Sequence, residues 1–122
     1  MSTLPDDTLR KILLQIQQTA VNSQRAYSFA QQQMAAKQRE RRIVQLTIDE
    51  ISQLDDDVKM YKGVGKMFLM SPRKDMESEL KAQEKELGDD LTSLTKKSKF
   101  LEKQFNEAQG QLRDIFNSAP KQ

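Results

Sequence analysis

Three short stretches of the chain carry residue types that could bind a cation, a phosphate group or a nucleic acid. Asp55, Asp56 and Asp57 are consecutive carboxylates, and carboxylate oxygens are the ligands that hard cations prefer. Their spacing matches no calcium-binding loop, so a solvent-exposed turn is the favoured interpretation. Gly63 and Gly65 could approach a phosphate, but the Gly-Lys-Ser/Thr sequence of a phosphate-binding loop is missing. They are better explained as turn or bulge glycines.

The third stretch is a basic cluster that could contact nucleic acid. Lys37, Arg39, Arg41 and Arg42 lie close together in the sequence, but Glu40 interrupts them. The net charge of the whole chain is only +2, which is low for a protein that binds nucleic acid. We therefore expect an ordinary exposed helix face and no nucleic-acid partner. An RNA-binding hairpin arm is the less favoured alternative.

The chain of 122 residues contains no Cys and no His. This composition excludes disulfides and metal sites built from thiolates or imidazoles, and it removes the commonest residue of general acid–base catalysis. No Ser, Lys or carboxylate pair stands in a recognisable catalytic arrangement. The sequence therefore predicts a protein that is not an enzyme and that carries no metal and no cofactor.

Two long segments carry heptad repeats, in which apolar and small residues recur at alternating steps of three and four. This spacing of 3.5 residues is typical of helices that wind around each other. If the chain folds back on itself, the two seams run antiparallel and their two oppositely charged members, Arg41 and Glu84, meet. The first seam consists of Leu9, Leu13, Ile16, Ala20, Ser23, Tyr27, Ala30, Met34, Lys37, Arg41 and Val44, and the second of Leu80, Glu84, Leu87, Leu91, Leu94, Ser98, Leu101, Phe105, Ala108, Leu112 and Ile115.

The composition agrees with this pattern, because 31% of the residues are charged and only 36% are hydrophobic. Such a balance is typical of long helices whose exposed faces carry both signs of charge. We predict one domain of the mainly α class, a long antiparallel two-helix coiled coil. We see no signal peptide and no run of roughly 20 apolar residues that could span a membrane. The lack of cysteine is compatible with the cytosol.

The expected boundaries follow from capping signals. The first helix is predicted over residues 5–46, and a capping box at Thr47–Glu50 predicts a separate short helix that ends near Leu54. The short helix and a hairpin together occupy residues 47–70. Ser71 and Pro72 are favoured at a helix start and open the second helix, over residues 71–117, before a tail at 118–122.

The segment between the helices is predicted to form a β-hairpin with its turn within residues 62–66. Its second strand, Met67–Met70, is apolar on both faces and needs cover on both sides, which the rest of the chain cannot supply. An isolated two-stranded hairpin is only marginally stable in water, so the sequence predicts that strands from other chains pair with it. The predicted assembly residues are Val58, Met60, Tyr61, Gly63, Val64, Gly65, Met67, Phe68, Leu69 and Met70.

This middle segment also has a specific sequence. The run Met60-Tyr61-Lys62-Gly63-Val64-Gly65-Lys66-Met67-Phe68-Leu69, set between two coiled-coil helices, resembles the β-type subunits of prefoldin. The resemblance covers essentially the whole chain, including its acidic start, the bridge at Leu46-Thr47 and the helix from Leu80 onwards.

The resemblance implies a subunit of a hetero-hexamer of α-type and β-type chains, an ATP-independent cytoplasmic chaperone. The hairpins of such subunits form β-barrels between subunits, and the tips of the coiled coils hold non-native proteins. The implied partners are other prefoldin subunits, unfolded actin and tubulin, and the cytosolic chaperonin that receives these clients. No nucleic acid and no membrane is among the implied partners.

Client contact is expected where the two chain ends come together in the fold-back. Seam members at this tip could instead only seal the coiled coil, whereas Ile12 and Phe116 fall outside the seam and would be partly exposed. The alternative function is a structural tether or scaffold without client binding, which would need no hairpin of this kind. The predicted client-binding residues are Leu4, Leu9, Ile12, Leu13, Ile16, Leu112, Ile115 and Phe116.

Overall fold

A computed structural model describes residues 5–118 of the chain. It contains two long helices, α1 (Asp6–Ser52) and α2 (Arg73–Ser118), joined by the strands β1 (Met60–Val64) and β2 (Met67–Ser71). The order helix, hairpin, helix confirms the mainly α fold that the heptad pattern and the middle segment predict. Among the described residues the strands form one two-stranded antiparallel sheet.

Helix α1 starts one residue after Pro5, whose carbonyl accepts a hydrogen bond from the amide of Leu9 at 2.9 Å. Asp6 and Asp7 occupy its first turn, where the positive end of the helix dipole favours carboxylates. Helix α2 starts at Arg73, directly after Pro72, and carries Asp75 in its first turn. These starts agree with the capping signals in the sequence to within one or two residues.

The predicted break at Thr47 is wrong, because α1 continues without interruption to Ser52. The Thr47 hydroxyl donates to the carbonyl of Ile43 at 2.8 Å, one helical turn back, instead of capping a new helix. Ile51, which a separate short helix would have carried, is buried within α1. The first helix therefore ends six residues beyond the expected boundary at 46.

The chain divides into two compact units. Unit 1 contains residues 5–33 and 94–118 of the described chain, and unit 2 contains residues 34–93. In unit 1, Gln31 Nε2 of α1 donates to Ser98 Oγ of α2 at 2.7 Å. All the residues that are buried in this unit are seam positions with small side chains, namely Ala20, Ser23, Ala30, Ser98 and Ala108.

Unit 2 buries larger seam residues, Val44 of α1 and Leu87 and Leu91 of α2. The expected pair of charged seam residues is confirmed here: Arg41 Nη2 lies 2.9 Å from Glu84 Oε1. Gly88 makes room for this pair, since a β-carbon at that position would lie 3.1 Å from Arg41 Nη2. The absence of a side chain at Gly88 thus allows the guanidinium group of Arg41 to lie against helix α2.

The carboxylate of Glu84 is stabilised in its charged form. Hydrogen bonds from Gln45 Nε2 at 3.1 Å and Arg41 Nε at 3.0 Å lower the pKa of Glu84 below its ordinary value of 4.5, against partial desolvation, which raises it. A carboxyl group with a lowered pKa in the folded state adds stability above its ordinary pKa. That stability is lost as the pH falls through the lowered value.

We therefore predict that the free energy of unfolding decreases as the pH is lowered below about 4.5, and that Glu84→Gln removes part of this decrease. Urea unfolding of both proteins, followed by circular dichroism at neutral and acidic pH, measures the effect. Glu86→Gln changes an exposed carboxylate two residues further along α2 and serves as the control. An identical acid dependence in Glu84→Gln and in the unmodified protein would contradict the assignment.

Candidate functional site

The hairpin has a tight two-residue turn. β1 pairs with β2 from Met60 opposite Ser71 to Val64 opposite Met67, so Gly65 and Lys66 form the turn. Gly65 has a φ of 61°, and Lys66 does not have a positive φ. This combination is typical of a type II′ turn, whose first central position favours glycine because a β-carbon there would be strained. The turn falls within the predicted range of 62–66.

The register assigns the hairpin residues to two faces. One face, here called face A, carries Tyr61, Gly63, Phe68 and Met70, and the opposite face B carries Met60, Lys62, Val64, Met67 and Leu69. On face A the ring of Phe68 covers Gly63, with a ring carbon 3.7 Å from the position that a β-carbon would take. Because glycine has no side chain, the aromatic ring of the paired strand can pack against its backbone.

Both faces expose large apolar side chains. Met60 is buried, but Phe68 is 76% exposed, and the other apolar strand residues, Tyr61, Val64, Met67, Leu69 and Met70, are 50% to 65% exposed. Val58 precedes β1 and is exposed as well. Contiguous exposed apolar surface of this kind is unusual for a chain that acts alone and marks an interaction site.

Polar contacts hold the hairpin against α2. Lys62 Nζ lies 2.7 Å from Glu79 Oε2, and Arg73 Nη2 donates to the carbonyls of Leu54 and Asp55 at 2.8 and 2.7 Å. These contacts fix the link between α1 and β1, so the hairpin has a defined position within unit 2 although its apolar side chains lack cover.

The acidic turn and the basic cluster both take part in ion pairs within unit 2. Asp56 lies 3.3 Å from Arg73 Nη1, and Lys37 lies 3.5 Å from Asp90, while Arg41 contacts Glu84. No group of His, Cys, Asp or Glu within residues 5–118 is arranged to hold a metal ion. Asp56, Lys37 and Arg41 therefore contribute to ion pairs within the fold of this unit.

The predicted tip residues belong to unit 1. Phe116 is 63% exposed, whereas Leu9, Ile12, Leu13, Ile16, Leu112 and Ile115 are half-buried. Leu4 lies outside the described residues. The position of Phe116 off the seam explains its exposure, but the half-buried state of Ile12 shows that leaving the seam does not fully expose a side chain.

Sequence reasoning missed several exposed apolar residues in unit 1. Leu14, Val21 and Phe29 of α1 and Phe100 of α2 are 41% to 61% exposed. They lie off both seams. This position in the heptad pattern could have predicted their exposure, because a large apolar side chain outside the seam does not pack between the two helices. Leu14 is close in sequence to the predicted tip residues and, like them, has a large apolar side chain.

Within the part of the chain that the structure describes, neither helix contains a stretch that is long and apolar enough to cross a membrane. The fold matches a solved structure, the prefoldin beta subunit from Thermococcus strain KS-1, with a TM-score of 0.80 at 23% identity. The match covers 99% of this chain and 100% of that one, which shows a shared fold.

Sequence comparison extends this likeness. The chain is 28% identical to human prefoldin subunit 1 over 115 residues, covering 94% of each protein, and 26% identical to prefoldin subunit 1 of Arabidopsis thaliana over 117 residues. It is 30% identical over 91 residues to a probable prefoldin subunit 1 of Dictyostelium discoideum, covering 75% of this chain and 79% of that protein. A family-wide sequence pattern described as "Prefoldin subunit" matches residues 14–119. The chain therefore belongs to the prefoldin subunit family, whose members are non-enzymatic chaperone subunits.

Proposed function

We propose that this chain is one subunit of a hetero-hexamer of α-type and β-type prefoldin chains, which works in the cytoplasm without ATP. In this assembly the hairpin joins hairpins of other subunits in a β-barrel. The observation that carries the proposal is the exposure of apolar side chains on both faces of a hairpin whose two strands have no further strand beside them within residues 5–118. Neighbouring strands would supply hydrogen bonds to both edges and cover for both faces.

The mechanism we propose is the holding of non-native proteins at the ends of the coiled coil. Unfolded actin and tubulin are the proposed clients, and the cytosolic chaperonin is the proposed recipient. Exposed side chains such as Phe116 and Leu14 support this role because they offer apolar contacts without sequence preference. Each contact is weak, but several subunits acting on one client increase the overall affinity through multivalency.

The alternative is a structural tether that joins other proteins and binds no client. A tether needs helices of defined length but no uncovered sheet. The apolar hairpin therefore argues for assembly with other chains, and the outcome of a client-protection assay separates the two functions.

Purification of the tagged chain from its own cells tests the assembly most simply. We expect other prefoldin subunits to co-purify in fixed stoichiometry, with a native mass that corresponds to six chains. A tagged chain that elutes as a folded monomer, with no partner in stoichiometric amount, would contradict the proposal.

A further inference from the structure

Helix α2 carries a basic patch around an exposed aromatic ring. This patch belongs neither to the assembly hairpin nor to the helix ends that are proposed to bind clients. We infer that this patch, made of Lys96, Lys99, Phe100 and Lys103, docks an acidic segment of a partner protein that also carries an apolar side chain. The patch shares no residue with the hairpin or the proposed client-binding ends. Docking at this patch is therefore independent of client holding.

The spacing of these residues places them on one face of the helix. Lys96, Phe100 and Lys103 follow one another at steps of four and three, and Lys99 lies beside Phe100. All four side chains are exposed, and Phe100 retains 60% of its surface. A ring that is surrounded by lysines and yet uncovered resembles the centre of a protein interface with a charged rim.

The lysines of the patch take part in no ion pair within the described residues. Residues 5–118 form four ion pairs, all within unit 2, and none of them involves Lys96, Lys99 or Lys103. Glu102 and Glu107 line the same surface depression as Lys99 and Lys103, but no ion pair joins them to these lysines. Three lysine ammonium groups therefore face solvent around one aromatic ring, which makes a carboxylate-bearing partner complementary in charge.

The shape of the patch favours an acidic protein segment over single-stranded RNA or a membrane surface. Proteins that bind single strands combine a basic groove with several stacking aromatics, whereas this convex helix face offers one ring. Membrane-surface helices bury a broad apolar face, and here Phe100 is the single large apolar residue within the patch.

The test uses the full-length chain and a fluorescent peptide of aspartate and glutamate with two central leucines. Fluorescence anisotropy at low ionic strength should show saturable binding that weakens as salt is added. The triple variant Lys96→Glu, Lys99→Glu and Lys103→Glu should reduce the affinity by about tenfold or more. Phe100→Ser should also weaken binding, and this loss should persist when salt screens the charges, because it removes an apolar contact.

A matched control changes the same charge elsewhere on α2. Lys74→Glu, Lys81→Glu and Lys85→Glu alter exposed lysines of unit 2 and should leave peptide binding within about twofold of the unmodified protein. Circular dichroism checks that both triple variants keep their helices. If both triple variants lost the same affinity for the peptide, the effect would come from the net charge of the chain and not from this patch, and the inference would be overturned. Tighter binding of poly(U) RNA or of phosphatidylserine vesicles than of the peptide, lost in the same patch variant, would also overturn it.

Discussion

Phe68→Asp is expected to abolish assembly with other prefoldin subunits while leaving the chain's own helices folded. In the single chain Phe68 is 76% exposed, so a carboxylate in its place meets water and costs little. In a completed sheet the same carboxylate would be buried without a partner, at a cost of several kcal/mol. Because about 1.4 kcal/mol changes an equilibrium tenfold, such a cost lowers the association constant by a factor of hundreds or more.

Native mass spectrometry of the reconstituted complex measures this effect directly. Leu69→Asp tests face B of the hairpin in the same way and should also prevent assembly, because we expect cover on both faces. Phe29→Asp makes the same substitution at an exposed phenylalanine of α1 and should leave the mass of the complex unchanged. A complex of normal mass with Phe68→Asp would show that face A is not an assembly surface.

Removing residues 1–12 and 110–122 is expected to leave assembly intact and to abolish protection of an unfolded client. The deletion takes away Leu9, Ile12, Leu112, Ile115 and Phe116, but it retains the hairpin and every residue of unit 2. Since binding by several weak contacts falls steeply when each contact is lost, we expect no protection even at about tenfold more complex than the unmodified protein requires.

Light scattering of denatured actin, diluted into buffer with the complex, follows this protection. A milder variant, Ile12→Ser with Leu14→Ser and Phe116→Ser, should show an intermediate loss without shortening either helix. Val21→Ser with Phe29→Ser removes exposed apolar groups of the same unit away from the helix ends and is the matched control. Undiminished protection by the shortened complex would place client binding elsewhere, as would an equal loss in the control.

Much of the fold could be predicted because it depends on periodicity. Ala20, Ala30, Leu91 and Ala108 are buried where the 3.5-residue spacing places them. The contact between Arg41 and Glu84 could also be predicted, because opposite charges within facing apolar seams have few other partners. The turn glycines and the apolar residues on either side of them predict the hairpin.

Other features depend on contacts that spacing does not encode. Thr47 has the sequence of a capping residue, yet its hydroxyl bonds one turn back, because Ile51 gains burial when the helix continues. The reach of Arg73 to the carbonyls of Leu54 and Asp55 requires a three-dimensional arrangement of distant segments. Local helix and capping propensity is a weak guide at such positions, since tertiary contacts outweigh it.

The candidate site was predictable to a similar extent. The strand Met67–Met70 is apolar on both faces, and this feature of the sequence alone predicts an incomplete sheet. The end of the coiled coil was less well defined, because apolar character alone does not separate a residue that seals the seam, such as Leu13, from one that faces solvent, such as Leu14. Side-chain direction on the helix makes that distinction.

Amide hydrogen exchange of residues 60–71 shows whether strands of other chains complete the sheet of the hairpin. The measurement compares the purified single chain with the assembled complex. We expect fast exchange in the single chain, because an isolated two-stranded hairpin is marginally stable, and strong protection of both strands in the complex. Equal and strong protection in a monomeric chain would contradict the account, because the hairpin would then be stable without partners.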